Sequence, residues 1–504
     1  MGRQRPNNRT EPCSGGEARW LGLAQRWHAL VPYGSISESE VTVGVKQLCC
    51  ILTDVCDGRI LVRRAGHGWE LPRVSIEDPG AADTWNTSAM RGIVKARLGL
   101  ETYPVYAMEV ETTGRPALLA AFELAEDVKV GPPWQWFDPS EVNSHLADAF
   151  ERSLVEGHTA SQQLCVGSGI VPWLRSGWLP AAEIWVREQL GAHGITLTSR
   201  PEPVTSRFVG RVLRAETRVG RVYFKAVSQV WCREVETVTE LSAWQPQYIP
   251  APLAADPKQG WMLTREVQGP TLTEVTDLNV WEEAVRVYAR LQKDSVFSLA
   301  DGSAKSLFGW RPEALPAGID RMMEELEWLQ VGYGDPLTED ETGGLRQGAS
   351  EFKDMCLQVA GRGVPAALEH GDLHPGNVRI VDGAPVYLDW AWSSITHPFL
   401  SLSLFIPPER VPGQSESARR RLLAAYLEEW QDYGKAPDLE ALSRLVHTWS
   451  VIQYAVADAD WLRSYLRKLP SGPFPANWYL GWIVRMRQYY WIKCLRRMLN
   501  LVAR

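Results

Sequence analysis

At 504 residues, 45% hydrophobic and 22% charged, the chain has material for a sizeable core and for more than one domain. Its formal net charge of −7 gives no reason to expect general nucleic-acid binding. No apolar run approaches the roughly 18 residues a bilayer span needs. The eight cysteines follow no Cys-x-x-Cys spacing, and the polar, basic first ten residues have no apolar segment behind them, so a cytoplasmic protein with inert thiols and no membrane partner is expected.

Residues 1–38 read as a polar tail and a short amphipathic helix, with Trp20, Leu23, Ala24, Trp27 and Leu30 at helical spacing. Residues 39–155 change to strand patterning. Runs at 45–53 and 59–63 flank Asp57-Gly58, a hairpin signal. A helical pattern at 87–98 ends at Gly99, 117–124 is a further strand, and Trp136-Phe137-Asp138-Pro139-Ser140-Glu141-Val142 leads into a last helix. Trp69-Glu70-Leu71-Pro72, the helix ending Leu98-Gly99-Leu100 and the close at 136–141 resemble a Nudix domain, which implies an α/β/α fold. Members of that family hold Mg²⁺ at a pyrophosphate with glutamates along the helix. Here residues 87–98 contain no acid, and Arg73-Val74 stand where the family usually has two glycines. The resemblance therefore implies a degenerate domain that has lost hydrolysis; Glu77 and Asp78, two adjacent loop acids, do not rebuild a site. Arg91, Lys95 and Arg97 read as a solvated helix face, with anion binding as the functional alternative.

Residues 156–200 read as a helical connector. A helix is expected over 181–190, and Trp173, Trp178 and Trp185 are expected to pack on the domain that follows. Residues 201–268 are strand-rich, with runs at 207–215 and 221–227 joined across Thr217-Arg218-Val219-Gly220. Lys225 lies inside the second run. The next helix, 232–244, carries Glu234 on one face with Val238 and Leu241, at i, i+4 and i+7, while Glu236 and Glu240 lie on another. A strand lysine held by a helix glutamate is how protein kinases present an ammonium to the α- and β-phosphates, which makes Lys225 and Glu234 candidate nucleotide-binding residues. A glycine-rich phosphate loop is absent, with only Gly220 between the strands. Gly361-Arg362-Gly363-Val364-Pro365-Ala366 lacks the strand-to-helix context a dinucleotide motif needs, and no Walker A sequence occurs. Residues 261–269 read as a strand running into an extended linker, the place of a hinge that reads adenine; Glu266 and Val267 are the candidates there.

From 269 to 504 the pattern is helical, with amphipathic stretches at 273–292, 319–330 and 343–359. Within it, Glu369-His370-Gly371-Asp372-Leu373-His374-Pro375-Gly376-Asn377 is too rich in Gly, Pro and polar residues for a helix and reads as an ordered loop. Two short apolar runs around Asp382-Gly383 follow, a hairpin. A turn centred on Gly383 sets Asn377 opposite Asp389, and a register one residue away still leaves them neighbours, near enough for two oxygens to share a hard cation. Phosphoryl transfer needs a carboxylate at the attacking hydroxyl and oxygens for Mg²⁺ on the phosphates. Asp-x-x-x-x-Asn, a hairpin and a second Asp is the kinase catalytic-loop order, with His370-Gly371 here in place of His-Arg.

This stretch resembles the aminoglycoside phosphotransferase/choline kinase branch of the kinase-like superfamily, whose loop reads His-Gly-Asp-x-x-x-x-Asn and whose metal Asp is commonly followed by Trp, as Asp389 is by Trp390. The resemblance implies an α+β, bilobal protein-kinase-like fold, with a small β-rich N-lobe at 201–268 and a large helical C-lobe at 269–504. It implies Asp372 as catalytic base and Asn377 and Asp389 as Mg²⁺ ligands. ATP or GTP would donate its γ-phosphoryl to a hydroxyl of a small metabolite or aminoglycoside-like acceptor. His397-Pro398-Phe399-Leu400-Ser401-Leu402 matches a family segment that usually ends Asp-Leu; Ser401 leaves a supporting contact without its usual residue. A zinc site at His370, Asp372 and His374 would suit a helix, which Pro375 and two glycines oppose.

Residues 461–504 carry nine Arg and Lys and no acid, interleaved with Trp478, Trp482, Tyr489, Tyr490 and Trp491. They read as a helix pair covering the lobe, its cations solvated or meeting acids elsewhere. A polycationic acceptor would want acids, and Glu428, Glu429, Asp432, Asp438, Asp458 and Asp460 are the candidates, against which the basic tail counts. Two other readings are a nucleotide-binding regulatory pseudokinase and a Nudix pyrophosphohydrolase. The presence of all five catalytic residue types argues against the first, and the missing helix glutamates against the second.

Overall fold

The computed structural model describes residues 47–66, 68–75, 87–112, 115–124, 129–206, 209–228, 233–300, 309–468 and 479–502. The helix expected near Trp20–Leu30, together with Glu77, Asp78 and Trp478, lies outside them. Among the described residues no helix is long and apolar enough to cross a membrane.

The first unit is a mixed sheet. Strand β1 (Gln47–Asp54) pairs antiparallel with β2 (Ile60–Ala65), which carries β3 (Gly68–Glu70). β1 also pairs antiparallel with β4 (Arg73–Ser75). Helix α1 (Thr87–Leu98) precedes β5 (Thr102–Thr112) and β6 (Arg115–Leu124); β6 runs parallel to β1 and antiparallel to β5, and β7 (Trp134–Phe137) closes on β2. Strand periodicity splits β1 between two cores. Leu48, Cys50 and Leu52 face Met90 and Val94 of α1, whereas Cys49 and Ile51 face the opposite side with Phe150 and Leu154 of α2 (Ala149–Ser168). A helix on each face of one sheet is the α/β/α layering expected. Two features differ from the sequence reading. β5 was not expected; it is an edge strand, where Pro104 is tolerated at an irregularity in the ladder. The connector does not begin at 156, because α2 runs unbroken across that position.

Helix α3 (Trp178–Ala192) starts three residues before the expected helix and does the packing its tryptophans predict. Trp178 and Trp185 meet Phe224 and Trp261 of the next sheet at ring-centroid distances of 5.6–6.2 Å. That sheet is antiparallel, in the order β11 (Ala254–Asp256), β12 (Trp261–Arg265), β10 (Gly220–Val227), β9 (Gly210–Thr217), β8 (Glu202–Ser206). Helix α4 (Arg233–Trp244) follows β10 and buries Val235, Val238 and Leu241.

The remainder is helical, built on α5 (Leu278–Ala300), α6 (Leu315–Glu324), α7 (Glu339–Gln347), α8 (Ala349–Ala360), α9 (Glu416–Glu428), α10 (Ala436–Leu466) and α11 (Tyr479–Val502). Two expected helices break: 319–330 at Glu325, and 343–359 at Gly348, which ends α7 and starts α8. Between α8 and α9 lie the pairs β13 (Ala367–Glu369) with β16 (Ser394–Thr396), and β14 (Val378–Val381) with β15 (Ala384–Tyr387). The long pair α10 and α11 covers this lobe and buries Trp449, Trp461, Trp482 and Trp491. The chain is thus α+β, with a small β-rich lobe and a large helical lobe behind a further sheet domain.

Candidate active site

Lys225 sits mid-strand in β10, between Val212 and Met262 of its neighbours. Period-2 alternation sends Val222, Phe224 and Ala226 into the core and Lys225 to the other face. Its Nζ donates to Glu234 Oε1 at 2.6 Å, in the first turn of α4, and to Asp389 Oδ1 at 2.8 Å, from the helical lobe. Burial disfavours the ammonium, but Asp389 and Glu234 outweigh it and its pKa is raised. One lysine therefore joins its own strand to the helix that follows it and to a loop of the helical lobe 164 residues away. Of the helix acids, Glu234 is buried, as the apolar-face argument requires.

The loop after β13 is held from within. His370 is fully buried; its Nε2 lies 2.9 Å from the Leu388 carbonyl and its Nδ1 accepts from the Asp372 N–H at 3.3 Å. Burial lowers its pKa to about 4, so the ring is neutral and props the loop. With both ring nitrogens engaged, His370 has none for zinc, and His374 Nδ1 accepts from Gly376 N–H. Gly371 has φ +78°, and a Cβ there would come within 2.2 Å of the Trp392 carbonyl oxygen, so only glycine fits. Asp372 follows, 7% exposed.

The hairpin corrects the register expected for a turn centred on Gly383. Val381 pairs with Ala384, so Asp382 and Gly383 form a two-residue turn with φ 49° and 84°. Asn377 then pairs with Leu388, whose N–H donates to the Asn377 carbonyl at 2.9 Å, and Asp389 is the next residue along. Asn377 Nδ2 donates to the Asp372 carbonyl at 2.9 Å, which aims its Oδ1 away as an acceptor. Asp389 is a non-glycine residue at φ +65°, a strained conformation of the kind that gathers at functional sites. The donor set of carboxylate and amide oxygens suits a hard, oxygen-seeking cation such as Mg²⁺.

The hinge candidates separate. Glu266 N–H is already spent on the Arg221 carbonyl at 2.9 Å, and its carboxylate pairs with Arg221 at 2.8 Å. Val267 lies just beyond the last strand pair, half-buried.

A further group has no counterpart in the sequence reading. Glu369, fully buried at the end of β13, accepts from Tyr288 Oη at 3.1 Å, Gln292 Nε2 at 3.2 Å, Gly371 N–H at 3.2 Å and Ser401 Oγ. Tyr288 in turn accepts from the His370 N–H at 3.0 Å. Ser401, which stands where the motif usually has Asp, donates its hydroxyl to Glu369. An acid inside the apolar run Ala367-Leu368-Glu369, abutting the loop, was the available signal.

The six acids proposed for a polycationic acceptor are mostly taken. Glu428 pairs with Arg286 at 2.7 Å, Glu429 with Arg290 at 3.1 Å, and Asp432 with Lys293. Asp460 is bound by Arg463 and by Trp310 Nε1, and Asp458 by Arg487. Of the basic tail, Arg463, Arg487 and Arg496 are matched by acids within the lobe. In the first domain, Arg91 and Lys95 both meet Glu101, which favours the bland reading of that helix face. Arg73 pairs with Glu151 at 2.8 Å and Asp148 at 3.0 Å.

No family model and no curated protein matches the chain. Solved structures similar to it include a choline/ethanolamine kinase family protein from Mesorhizobium loti, at 17% identity and TM-score 0.40, covering 63% of this chain and 99% of that one. An ethanolamine kinase from Plasmodium vivax is similar at 11% identity and TM-score 0.40, covering 70% and 96%. A macrolide 2'-phosphotransferase type I is similar at 14% identity and TM-score 0.39, covering 56% and 92%.

Proposed function

We propose that this chain is a Mg²⁺-dependent phosphotransferase that moves the γ-phosphoryl of ATP or GTP to a hydroxyl of a small molecule. The observation that carries the reading is Lys225, bound at once to Glu234 and to Asp389. A partly buried ammonium held by a helix glutamate beside a half-exposed aspartate of the opposite lobe is the apparatus that phosphoryl transfer requires.

In this reading Lys225 orients the α- and β-phosphates and Glu234 keeps its ammonium in place. Val267 offers backbone to the base edge, the role for which Glu266 has no N–H left. Asp372 orients or deprotonates the acceptor hydroxyl. Asn377 Oδ1 and the Asp389 carboxylate hold Mg²⁺, which supplies charge neutralisation on the phosphates. The first domain is a degenerate Nudix-like module without hydrolytic chemistry, since α1 carries no acid and Arg73 neutralises Asp148 and Glu151.

The test is Mg²⁺-dependent nucleotide turnover by the purified protein, wild type beside Asp372→Asn, over a panel of hydroxyl metabolites. Acceptor-stimulated turnover in wild type, lower by about 10²–10⁴-fold in Asp372→Asn, is expected. Nucleotide binding without turnover on any acceptor would favour a regulatory pseudokinase, and failure to bind nucleotide would sink the reading. Pyrophosphohydrolase activity on nucleotide sugars would overturn the assignment of the first domain.

A further inference from the structure

We propose that the hydroxyl acceptor is a neutral or anionic polyol, not a cation, because a cation seat beside the catalytic loop is filled by the chain's own Arg487. This rests on the phosphotransferase reading above and names the acceptor class for the same site.

Trp392 abuts the catalytic loop: its backbone is what forbids a side chain at Gly371, immediately before Asp372. Across the face of the Trp392 ring lies the Arg487 guanidinium, 4.7 Å from the centroid, and the same guanidinium lies 5.3 Å from the Trp461 centroid. Its counter-ion is Asp458, from α10, and the two charges are 6% and 5% exposed. Two indole faces and one carboxylate are what a quaternary ammonium or amino sugar requires. Arg487 supplies that cation permanently, from α11, at a depth where expelling it would strand the buried carboxylate. Four of the other five candidate acids are also held: Glu428, Glu429, Asp432 and Asp460 by Arg286, Arg290, Lys293 and Arg463.

Two measurements decide. In the first, wild type is assayed with Mg²⁺-ATP against neutral polyols and sugar acids on one side and choline and aminoglycosides on the other. The expected result is kcat/KM higher on the first side by about tenfold or more; equal or better use of choline or an aminoglycoside overturns the proposal, and this arm needs no variant. In the second, binding of tetramethylammonium is followed by saturation-transfer NMR, with no turnover required. Arg487→Met opens the seat and is expected to gain saturable binding that wild type lacks. The paired variant Asp458→Asn/Arg487→Met, which leaves no buried charge behind, is expected to lose that gain. Tetramethylammonium binding to wild type, or no gain in a folded Arg487→Met, overturns the assignment of the seat. A turnover that Asp372→Asn leaves unchanged would defeat the phosphotransferase reading instead, and the NMR arm would still report on Arg487.

Discussion

A carboxyl group in the position of Glu369 is a titration experiment built into the fold. Burial pushes its pKa up to about 7, against the hydrogen bonds from Ser401, Gly371 and Tyr288 that favour the carboxylate. Between roughly pH 4.5 and 7 the folded state therefore keeps a proton that the unfolded chain has released. Folding is favoured at the low end of that window, and this contribution is lost as pH rises through the folded-state value. The loss amounts to about 3 kcal/mol. Glu369→Gln binds no proton in either state. The stability difference, wild type minus variant, should thus fall by that amount between pH 4.5 and 7.5 in urea titrations; a difference independent of pH would refute the burial argument. Sequence reasoning singled out Lys225, Glu234, Asp372, Asn377 and Asp389 as candidates because each belongs to a pattern of spacing and residue type. Glu369 belongs to no such motif, and its place beside an apolar run is the one signal it carries. Its meaning comes from Tyr288, Gln292 and Ser401, which the fold brings to it from α5 and the turn after β16.

At the scale of the element, two glycines at positive φ separate local strain from steric exclusion. Gly383 closes the β14–β15 turn at φ +84°, and a Cβ added there would meet nothing within 4 Å, whereas Gly371 at φ +78° would drive its Cβ into the Trp392 carbonyl. Gly383→Ala should cost about 1 kcal/mol in thermal unfolding and leave phosphoryl transfer unchanged. Gly371→Ala should shift the loop, cost roughly 1–3 kcal/mol and lower kcat by about tenfold or more with nucleotide affinity retained. Equal effects of the two on kcat would mean that the loop tolerates displacement. The same elements show what sequence can and cannot supply. Asp382-Gly383 announced a turn, but the difference between a centre on Gly383 and one between the two residues is a single step of register, set by the paired positive φ angles. β5 was not read in the sequence; it contains Pro104, whose tolerance depends on an edge position that exists only once the sheet is assembled.

Across the whole molecule, the sheet domain and the β-rich lobe are fastened by charge as well as by apolar contact. Arg211 of β9, fully buried, reaches Glu123 of β6 at 3.0 Å and the Pro104 carbonyl at 3.3 Å, while Ser206 Oγ donates to the Val105 carbonyl at 2.5 Å. Arg211 is cross-strand neighbour to Ala226, one residue beyond Lys225. A continuous apolar core runs from Cys49 and Ile51 of the first sheet through Trp178 and Phe224 to Trp491. The strand that carries Lys225 is thus braced from behind by the first domain, and the two should unfold together. Removing one partner of a buried pair leaves the other charge stranded, at a cost of about 3–5 kcal/mol, whereas replacing both with apolar residues of similar size is near neutral. Glu123→Leu should therefore lower the urea midpoint strongly, and Glu123→Leu/Arg211→Met should restore most of it, with a single transition by both fluorescence and circular dichroism in every variant. Two transitions, with only the earlier one moved by Glu123→Leu, would show that the first domain folds independently and that its contact with β9 does nothing to hold Lys225.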